Sequence, residues 1–358
     1  MIGMLYHRAM LLRLMHGKRS FEQPAFYLQA AREIGKSVVF FSLPDIDWRK
    51  GTVSGWSGVS QIRIKMPIPP VIINRTRTNR QAVRQRIDRL KSMGKIIFNE
   101  HNVFSKLEVH HILSQNARLL PHLPATDPLT PQSIRNLLEH NGVLYLKPCT
   151  ASIGNGIIRI SRINNETFAE INRVGHTRRT KADIRQIVKM ARKRSRHYLV
   201  QQGIRLKTFQ NKPVDFRVSM QKDGAGRWQY NGAVGKLGKK QGSIVTNLHC
   251  GGTSIKASEL FHHWGWNGSR MERKFAKLGL RIARTLEREL PHVADLGLDI
   301  ALDDHQHPWF IEANFRDLRI TFRNAGEMEK WRITFTTPVQ YAAFLSGLLD
   351  RTNSHETS

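Results

Sequence analysis

The chain has 358 residues, 40% of them hydrophobic, which is enough for two or three domains that each bury a core. Its 57 Lys and Arg residues outnumber 28 Asp and Glu residues, and the formal charge of +29 predicts favourable encounter with polyanions. The two cysteines exclude a disulfide framework and a cysteine-only zinc site, and they fit a reducing compartment. No apolar run reaches the roughly 20 residues that cross a bilayer, so no membrane span is expected.

The start of the chain predicts a small α/β domain. Arg8 and Arg13 interrupt the apolar patches at the amino end, and no small-residue cleavage site follows, so a signal peptide is not expected and the predicted location is cytoplasmic. The pattern predicts a helix over Phe21–Gly35 and buried strands over Ser37–Ser42 and Val71–Asn74. This mixture of a helix and strands is typical of an α/β layer structure.

Two helices are predicted next, over Arg80–Met93 and from Lys106 onward. The second has an apolar face, formed by Leu107, Val109, Ile112 and Leu113. Taken alone, a lysine at a helix start is a surface residue.

Leu144–Ile160 reads as two apolar strands joined by a loop of small residues. Lys147 lies on the first strand, and the loop contains Ser152, Gly154 and Gly156. Small residues let backbone amides approach an anion closely, and a lysine before the loop can neutralise phosphate charge. The loop lacks the Gly-Lys-Ser/Thr of a P-loop and a strand follows it, which disfavours that class. A glycine hairpin without a ligand is the alternative.

Arg173–Arg196 is strongly basic, with ten Lys or Arg residues and Asp183 as its one acidic residue. Ile184, Ile187 and Val188 recur at helical spacing, so the segment is predicted to be a helix with a basic face. The face is either a docking surface for an acidic macromolecule or a solvated surface. Aromatic residues do not interleave with the charges, and no zinc-finger or RNP-type signature is present.

Tyr198–Leu206 and Val214–Gly252 carry further polar residues between apolar runs. Asp215 and Arg217 share one face of a predicted strand, and Asn247 precedes a Gly-Gly pair that can offer amides to an anion. A salt bridge on a solvated strand is the alternative. Farther along the chain, apolar residues at helical spacing predict a helix over Ser269–Leu290.

Asp299–Asn314 predicts two strands joined by a turn, with carboxylates on one face. Glu312 and Asn314 share a face because side chains alternate along a strand, and a hairpin register can place Asp299 beside them. Two carboxylates and an amide oxygen form a hard site suited to Mg²⁺ or Mn²⁺. An ordinary surface hairpin is the alternative.

Together and in this order, the lysine-bearing strand with its glycine loop and the Asp…Glu-x-Asn hairpin resemble the ATP-grasp superfamily of ATP-dependent ligases. The runs GKSVVFFSLPDI, PPVIINR and IIFNEHNVFSKLEVHHIL narrow the resemblance to its YheC/YheD subgroup, which is associated with endospore-forming bacteria and the spore coat. The similarity covers roughly residues 21–349.

The resemblance implies an ATP-grasp fold of mixed α/β class, in which two lobes close on a nucleotide after a small α/β domain. It implies an N-terminal domain over 1–95, a first lobe with the flap over 96–200 and a C-terminal lobe with the metal site over 201–350. The polar residues 351–358 are predicted to form a flexible tail.

The resemblance also implies roles for individual residues. Arg217 and Lys236 are implied to act on the phosphates, and Asp299, Glu312 and Asn314 to hold Mg²⁺ or Mn²⁺. The residues implied to bind ATP are Lys106, Lys147, Ser152, Gly154, Gly156, Gln201, Gln202, Ile204, Asp215 and Asn247, with the backbone of 201–204 at adenine and Asp215 at the ribose. The implied partners are the nucleotide and an unidentified anionic carboxylate substrate.

The implied reaction is activation of a carboxylate as an acyl-phosphate, followed by attack of an amine or similar nucleophile. Two departures from the pattern are present: Phe315–Arg319 replaces the usual Pro-Gly turn, and Lys236 stands where arginine is common. The alternative is a coat-associated or polyanion-binding protein that keeps the ATP-grasp frame without catalysis. A nucleic-acid binder is a third possibility.

Overall fold

The computed structural model describes residues 1–18, 20–57, 62–150, 154, 156–164, 166–173, 176–240, 243, 245–246 and 248–356, and these form three successive β-sheets covered by helices. The strands are β1 Ile2–Tyr6, β2 Val38–Ser42, β3 Ile46–Asp47, β4 Thr52–Ser57, β5 Arg63–Pro67, β6 Val71–Asn74, β7 Ile96–Phe98, β8 Thr126–Pro128, β9 Val143–Pro148, β10 Ile158–Ile163, β11 Glu166–Arg173, β12 His176–Lys181, β13 Tyr198–Gln202, β14 Thr208–Phe209, β15 Lys212–Lys222, β16 Trp228–Leu237, β17 Thr253–Lys256, β18 Asp295–Leu302 and β19 Pro308–Asn314.

Helices connect and flank these strands. They are α1 Arg8–Met15, α2 Pro24–Glu33, α3 Gln81–Ser92, α4 Lys106–Ser114, α5 Pro131–His140, α6 Ile184–Arg192, α7 Ala257–His263, α8 Gly268–Glu289, α9 Ile320–Asn324 and α10 Met328–Glu356. The predicted mixed α/β class is confirmed. Among the described residues, no helix is both long and apolar enough to span a membrane.

The N-terminal sheet has the order β3-β4-β2-β1-β6-β7, with β5 paired to β4 and a parallel centre formed by β2, β1, β6 and β7. The predicted strands over 37–42 and 71–74 coincide with β2 and β6. The central strand β1 lies in the first apolar patch, which sequence patterns did not identify as a strand. The C-terminal helix α10 packs back onto this domain, where Phe335 contacts Tyr27 of α2.

The first-lobe sheet has the order β12-β11-β10-β9-β13-β8. Here the prediction of one basic helix over 173–196 is wrong, because residues 176–181 form the edge strand β12 and pair with β11. The helix α6 begins only at Ile184, where Asp183 accepts from the backbone of Gln186 and caps the first turn. The exposed side chains of Arg185, Lys189 and Arg192 still give α6 a basic face.

The C-terminal sheet has the order β17-β16-β15-β18-β19 and packs on α8. The predicted α8 stripe is confirmed by the burial of Met271, Phe275, Leu278, Ile282 and Leu286. Helix α4 joins the same core through Val109 and Leu113. As a result, residues that precede the first-lobe sheet in sequence are packed against the C-terminal lobe. The backbone of 351–356 continues α10.

Candidate active site

The β18–β19 hairpin places Asp299 directly opposite Glu312, as its alternating pattern predicts. Asn314 is two residues farther along β19, on the face of Glu312, and its Nδ2 donates to the backbone oxygen of Gly297 at 3.2 Å. That bond leaves the amide oxygen of Asn314 as an acceptor. The three residues implied to hold a metal are thus brought together on β18 and β19, at one edge of the C-terminal sheet.

Lys236 on β16 reaches across β15 to Asp299 on β18. Its Nζ lies 3.0 Å from Asp299 Oδ1 and 3.3 Å from Asp215 Oδ1, and its side chain is only 6% exposed. Burial opposes its charge, yet the two carboxylates outweigh burial and raise the pKa of Lys236. Burial also raises the pKa of Asp215, which faces Lys236 across the β15–β16 ladder.

Arg217 is held between two carboxylates. Its Nε donates to Asp299 Oδ1 at 2.8 Å and its Nη1 donates to Asp317 Oδ1 at 2.7 Å. Although burial opposes ionisation of Asp299, Arg217 and Lys236 lower its pKa to about 2. Asp317 is fully buried and fits there because residue 297 is glycine: a Cβ at Gly297 would lie 2.7 Å from Asp317 Oδ1.

Lys106 at the start of α4 and Lys147 on β9 bring two further cations close to Glu312. The backbone nitrogen of Lys106 donates to Cys149 O at 2.9 Å, which ties the start of α4 to the end of β9. Lys106 Nζ lies 3.1 Å from Glu312 Oε1. Lys147 Nζ instead donates to Gln201 Oε1 at 2.6 Å, and burial lowers the pKa of Lys147 to about 8 although Glu312 opposes that shift.

These groups share a cavity of about 240 Å³ between the first-lobe and C-terminal sheets. Its polar wall includes Lys106, Lys147, Asp215, Lys236, Asp299 and Glu312. Other lining residues are Tyr145, Gly154, Gln201, Gln202, Ile204, Leu206 and Ile311. Arg217 is not among its lining residues, because its guanidinium faces Asp299 and Asp317. The structure therefore brings the predicted lysine-bearing strand and the predicted carboxylate hairpin to one cleft.

In the segment 201–204, which connects the two lobes, most polar groups form hydrogen bonds within the protein. Gln202 N donates to Ala125 O at 2.8 Å and Gly203 N to Val143 O at 2.8 Å. The side chain of Gln201 bridges Lys147 and Thr126. Ile204 lines the cavity, and within the described part of the chain its backbone makes no hydrogen bond.

The predicted flap is the turn between β9 and β10, which pair from Leu146 and Ile158 onward. Gly154 and Gly156 both have positive φ, and Gly154 lines the cavity. Two predicted nucleotide-binding residues, Ser152 and Asn247, lie outside the described residues.

The donor atoms at the hairpin fit a magnesium ion. Asp299 Oδ2 has Arg217 Nη2 at a long 3.5 Å, and the ion pair of Glu312 uses Oε1. Both carboxylates thus keep an oxygen for a cation, and Asn314 adds an amide oxygen. Across the described chain, no cluster of three or more His, Cys, Asp or Glu residues is arranged for a metal. Mg²⁺ commonly takes one or two carboxylates and completes its shell with water and substrate phosphates, and the hairpin offers the two carboxylates of Asp299 and Glu312.

Asp317 is a charged site residue that sequence patterns did not identify. It lies in Phe315–Arg319, the segment in which the chain departs from the usual turn, and it holds Arg217 from a fully buried position. An aspartate between two arginines directly after the Glu-x-Asn motif was the available signal. The partner of that aspartate could not be inferred from sequence.

Comparison with known proteins identifies the fold. A family model described as YheC/D like ATP-grasp matches residues 94–345. The endospore coat-associated protein YheD of Bacillus subtilis is 27% identical over 86% of this chain and 70% of its own length. YheC of the same organism, also called endospore coat-associated, is 23% identical over 78% and 79%. The structure of D-alanyl-alanine synthetase A from Vibrio cholerae superimposes with a TM-score of 0.51 at 13% identity, covering 95% of this chain and 98% of that chain. The predicted ATP-grasp fold is thereby confirmed.

Proposed function

The chain belongs to the YheC/D-like ATP-grasp family, and from that premise we propose that it is an ATP- and Mg²⁺-dependent ligase. In the proposed reaction it activates a carboxylate as an acyl-phosphate, which an amine or a similar nucleophile then attacks. The observation that carries this proposal is the shared cavity, which has Lys147 on one wall and Asp299 with Glu312 on the other. Cations for phosphates and hard oxygens for Mg²⁺ thus face one space.

The adenine base is proposed to lie at the apolar end of the cavity. Ile204, Leu206 and Ile311 supply apolar contact there. Because the backbone amides of Gln202 and Gly203 already donate within the protein, Ile204 is the hinge residue proposed to hydrogen-bond the base through its backbone. Gln201 and Gln202, which also line the cavity, are proposed to lie beside the base, and Asp215 is proposed to accept a hydrogen bond from a ribose hydroxyl.

The phosphates are proposed to contact Lys106, Lys147 and Lys236, which all line the cavity. Arg217 is proposed to act indirectly, as a positioning residue whose hydrogen bond fixes the carboxylate of Asp299. Ser152, Gly154, Gly156 and Asn247 remain proposed phosphate-loop residues. Closure of the flap would exclude water, which protects an acyl-phosphate from hydrolysis.

In the proposed chemistry, a substrate carboxylate oxygen bonds to the γ-phosphorus, the bond to the β-phosphate oxygen breaks, and ADP leaves. The nucleophile then adds to the acyl carbon and inorganic phosphate leaves. Mg²⁺ held by Asp299, Glu312 and Asn314 would offset phosphate charge. The protein's own contribution is positioning and charge stabilisation by its lysines.

Nucleotide-dependent stability tests this proposal. ATP present at about a hundred times its dissociation constant should add about 2.7 kcal/mol to the free energy of unfolding, which thermal melting resolves easily. The shift should shrink when EDTA replaces MgCl₂ and should be absent with adenosine. Equal melting temperatures with and without ATP and MgCl₂ would contradict the proposal.

A second candidate is supported by the exposed cations on α6. Arg185, Lys189 and Arg192 are exposed, and none forms an ion pair within the described part of the chain. They favour a polyanion-binding role, with or without catalysis, at the endospore coat with which the two named relatives are associated. Such a role predicts salt-dependent binding to acidic polymers that is indifferent to ATP.

A further inference from the structure

The outer face of α8 carries a row of basic side chains. At 3.6 residues per turn, these residues fall within an arc of about 80° around the helix axis, and the row is about 27 Å long. Its members are Arg270, Arg273, Lys277, Arg281, Arg284 and Arg288. The row lies opposite the stripe that packs on the C-terminal sheet, which contains Phe275, Ile282 and Leu286.

The cations of this row are open to solvent. Arg281 is partly buried and the other members are exposed. Arg281 Nη1 donates to the backbone oxygen of Arg118 at 2.8 Å, so the exposed Arg118 lies beside the middle of the row. Within the described part of the chain, no member of the row forms an ion pair.

The acidic residues of α8 lie outside the arc. Glu272 accepts from the hydroxyl of Tyr230, and Glu287 pairs with Lys222. Glu289 is exposed, but it lies about 100° around the axis from its neighbour in the row. The basic face of α8 therefore lacks the acidic residues that commonly alternate with lysine and arginine on a solvated helix.

This arrangement is unfavourable for the helix itself. Each member of the row is three or four residues from the next, and like charges at this spacing repel one another. Arg270 and Arg273 also lie near the amino end of α8, where the helix dipole disfavours cations. Burial, and after it the nearby charge of Arg270, lowers the pKa of Lys274 beside the row. Folding alone gives no reason for the row, since a glutamate within it would replace repulsion with attraction.

The chemistry of the row indicates a phosphate-bearing polymer. All of its members except Lys277 are arginines, and the planar fork of arginine can donate two parallel bonds to one phosphate group. A row about 27 Å long fits an extended polyanion better than a small ion. Duplex nucleic acid carries one charge per about 1.7 Å of its axis, so a row of this length faces several phosphates at once.

The absence of aromatic and apolar side chains from the arc distinguishes among polyanions. Single-stranded nucleic acid is commonly held by bases stacked on aromatic rings, and peptides by pockets for their side chains. A helix that lies on a membrane inserts apolar residues, whereas those of α8 are buried in the core. A duplex displays its phosphates outward, so charge alone can hold it.

The row and the proposed active site lie on opposite faces of the C-terminal sheet. Asp215 of β15 lines the cavity, whereas the next residue, Phe216, packs against Phe275 of α8. Successive side chains of a strand point to opposite faces. A polymer bound along α8 would therefore lie behind the sheet that carries the proposed metal ligands.

We propose that the outer face of α8 binds double-stranded nucleic acid through its phosphates, without reading its sequence. Bound phosphates replace the repulsion within the row with attraction, and the counterions that they release make binding dependent on salt. The site is independent of the proposed function, because no member of the row lines the cavity.

Fluorescence anisotropy of a labelled DNA duplex, titrated with the full chain at several NaCl concentrations, tests this site. The test variant combines three substitutions in the row, Arg273→Gln, Lys277→Gln and Arg284→Gln. The control removes the same charges at exposed positions of the N-terminal domain, through Arg32→Gln, Arg49→Gln and Lys50→Gln. The slope of log K against log salt should fall by about 2.7 in the test variant, about 0.9 for each cation, and should stay near the wild-type value in the control. Duplexes of unrelated sequence should bind alike.

Several results would overturn the site. They are a wild-type chain that does not bind the duplex, an unchanged slope in the test variant, and equal losses in the test variant and the control, which would assign binding to overall charge. A larger loss with single-stranded DNA, poly-glutamate or phosphatidylserine vesicles than with the duplex would assign the row to another partner. The test variant should melt no lower than wild type because repulsion is removed, and a lower melting temperature would make the row structural. If ATP does not stabilise the wild-type chain while row-dependent duplex binding persists, the proposed function is wrong and the site stands.

Discussion

Lys147 and Lys236 face one cavity from opposite lobes, but their electrostatic surroundings differ. Lys236 lies within 3.3 Å of two carboxylates, which raise its pKa. Lys147 has the amide oxygen of Gln201 as its close partner, and burial lowers its pKa to about 8. The charges of Asp215, Asp299 and Lys236 on the C-terminal wall therefore compensate one another, whereas Lys147 forms no ion pair with a carboxylate among the described residues.

This difference separates two uses of a buried cation. A lysine between two carboxylates fixes geometry, because removing it leaves like charges together in a poorly solvated place. Removal of a lysine whose partner is a neutral amide costs the ligand-free protein little stability. When a phosphate binds, the same lysine can form a charge-assisted hydrogen bond with it. On this basis, the C-terminal wall is a preformed frame and the first-lobe wall is the part completed by the ligand.

The largest expected effect is on ATP turnover, at Glu312, a proposed metal ligand on the C-terminal wall. Glu312→Ala should reduce ATP turnover about 1,000-fold or more, because both a hard oxygen and the partner of Lys106 are lost. Its melting temperature should stay near that of wild type, because Glu312 is partly exposed. Release of phosphate from ATP measures the effect, and Glu139→Ala, at an exposed position of α5, is the control. Equal turnover by Glu312→Ala and wild type would contradict the assignment.

The second-largest effect is expected on the free energy of unfolding, at Lys236 of the C-terminal wall. Lys236→Met should cost about 3 kcal/mol of unfolding free energy, because Asp215 and Asp299 then lose a shared buried counter-charge. Urea denaturation measures the loss, with the exposed Lys189→Met as control. Adding Asp215→Asn to Lys236→Met should recover part of the loss, since one of the two carboxylates becomes neutral. A Lys236→Met protein as stable as the control would show that the pair does not support the frame.

Lys147 should respond in the opposite way. Lys147→Met should not lower the unfolding free energy, because at pH below about 8 the folded protein bears the cost of a buried charge, and this cost falls as pH rises through that pKa. Its charged form, the one proposed to bind phosphate, is also lost as pH rises. ATP affinity of wild type should therefore fall about tenfold between pH 7 and pH 9, and Lys147→Met should show weak, nearly pH-independent binding. Calorimetry at both pH values measures this, and identical pH profiles for the two proteins would exclude Lys147 as the titrating group.

The smallest effect is expected on the exposed surface of the first lobe. Replacing Arg185, Lys189 and Arg192 together with glutamine should change the unfolding free energy by less than about 0.5 kcal/mol. ATP binding should be unchanged. If α6 binds polyanions, the slope of log K against log salt for a duplex DNA probe should fall by about 0.9 for each cation removed, and poly-glutamate should show a parallel loss. An unchanged slope would mean that α6 is a solvated face.

Local sequence patterns predicted the parts of the site that lie within one or two neighbouring elements. Alternation along β18 and β19 placed Asp299, Glu312 and Asn314 on one face, because a hairpin of fixed period admits few registers. The apolar strand and glycine turn around Lys147 and the apolar face of α8 were also predicted, because they too depend on local sequence patterns. The prediction over 173–196 was wrong because the composition of a charged segment does not show whether a neighbouring strand will pair with it, as β11 pairs with β12.

Only the tertiary structure decided which buried charges are neutralised. Arg217 meets Asp317 across 100 residues of chain, and Arg75 meets the backbone of the same aspartate across 242. No periodicity records such contacts, because they depend on how the N-terminal sheet, α10 and the C-terminal lobe pack together. Sequence could therefore name Lys147 and Lys236 as cations, but whether each has a carboxylate partner or is left for a ligand is determined by the long-range packing of the fold.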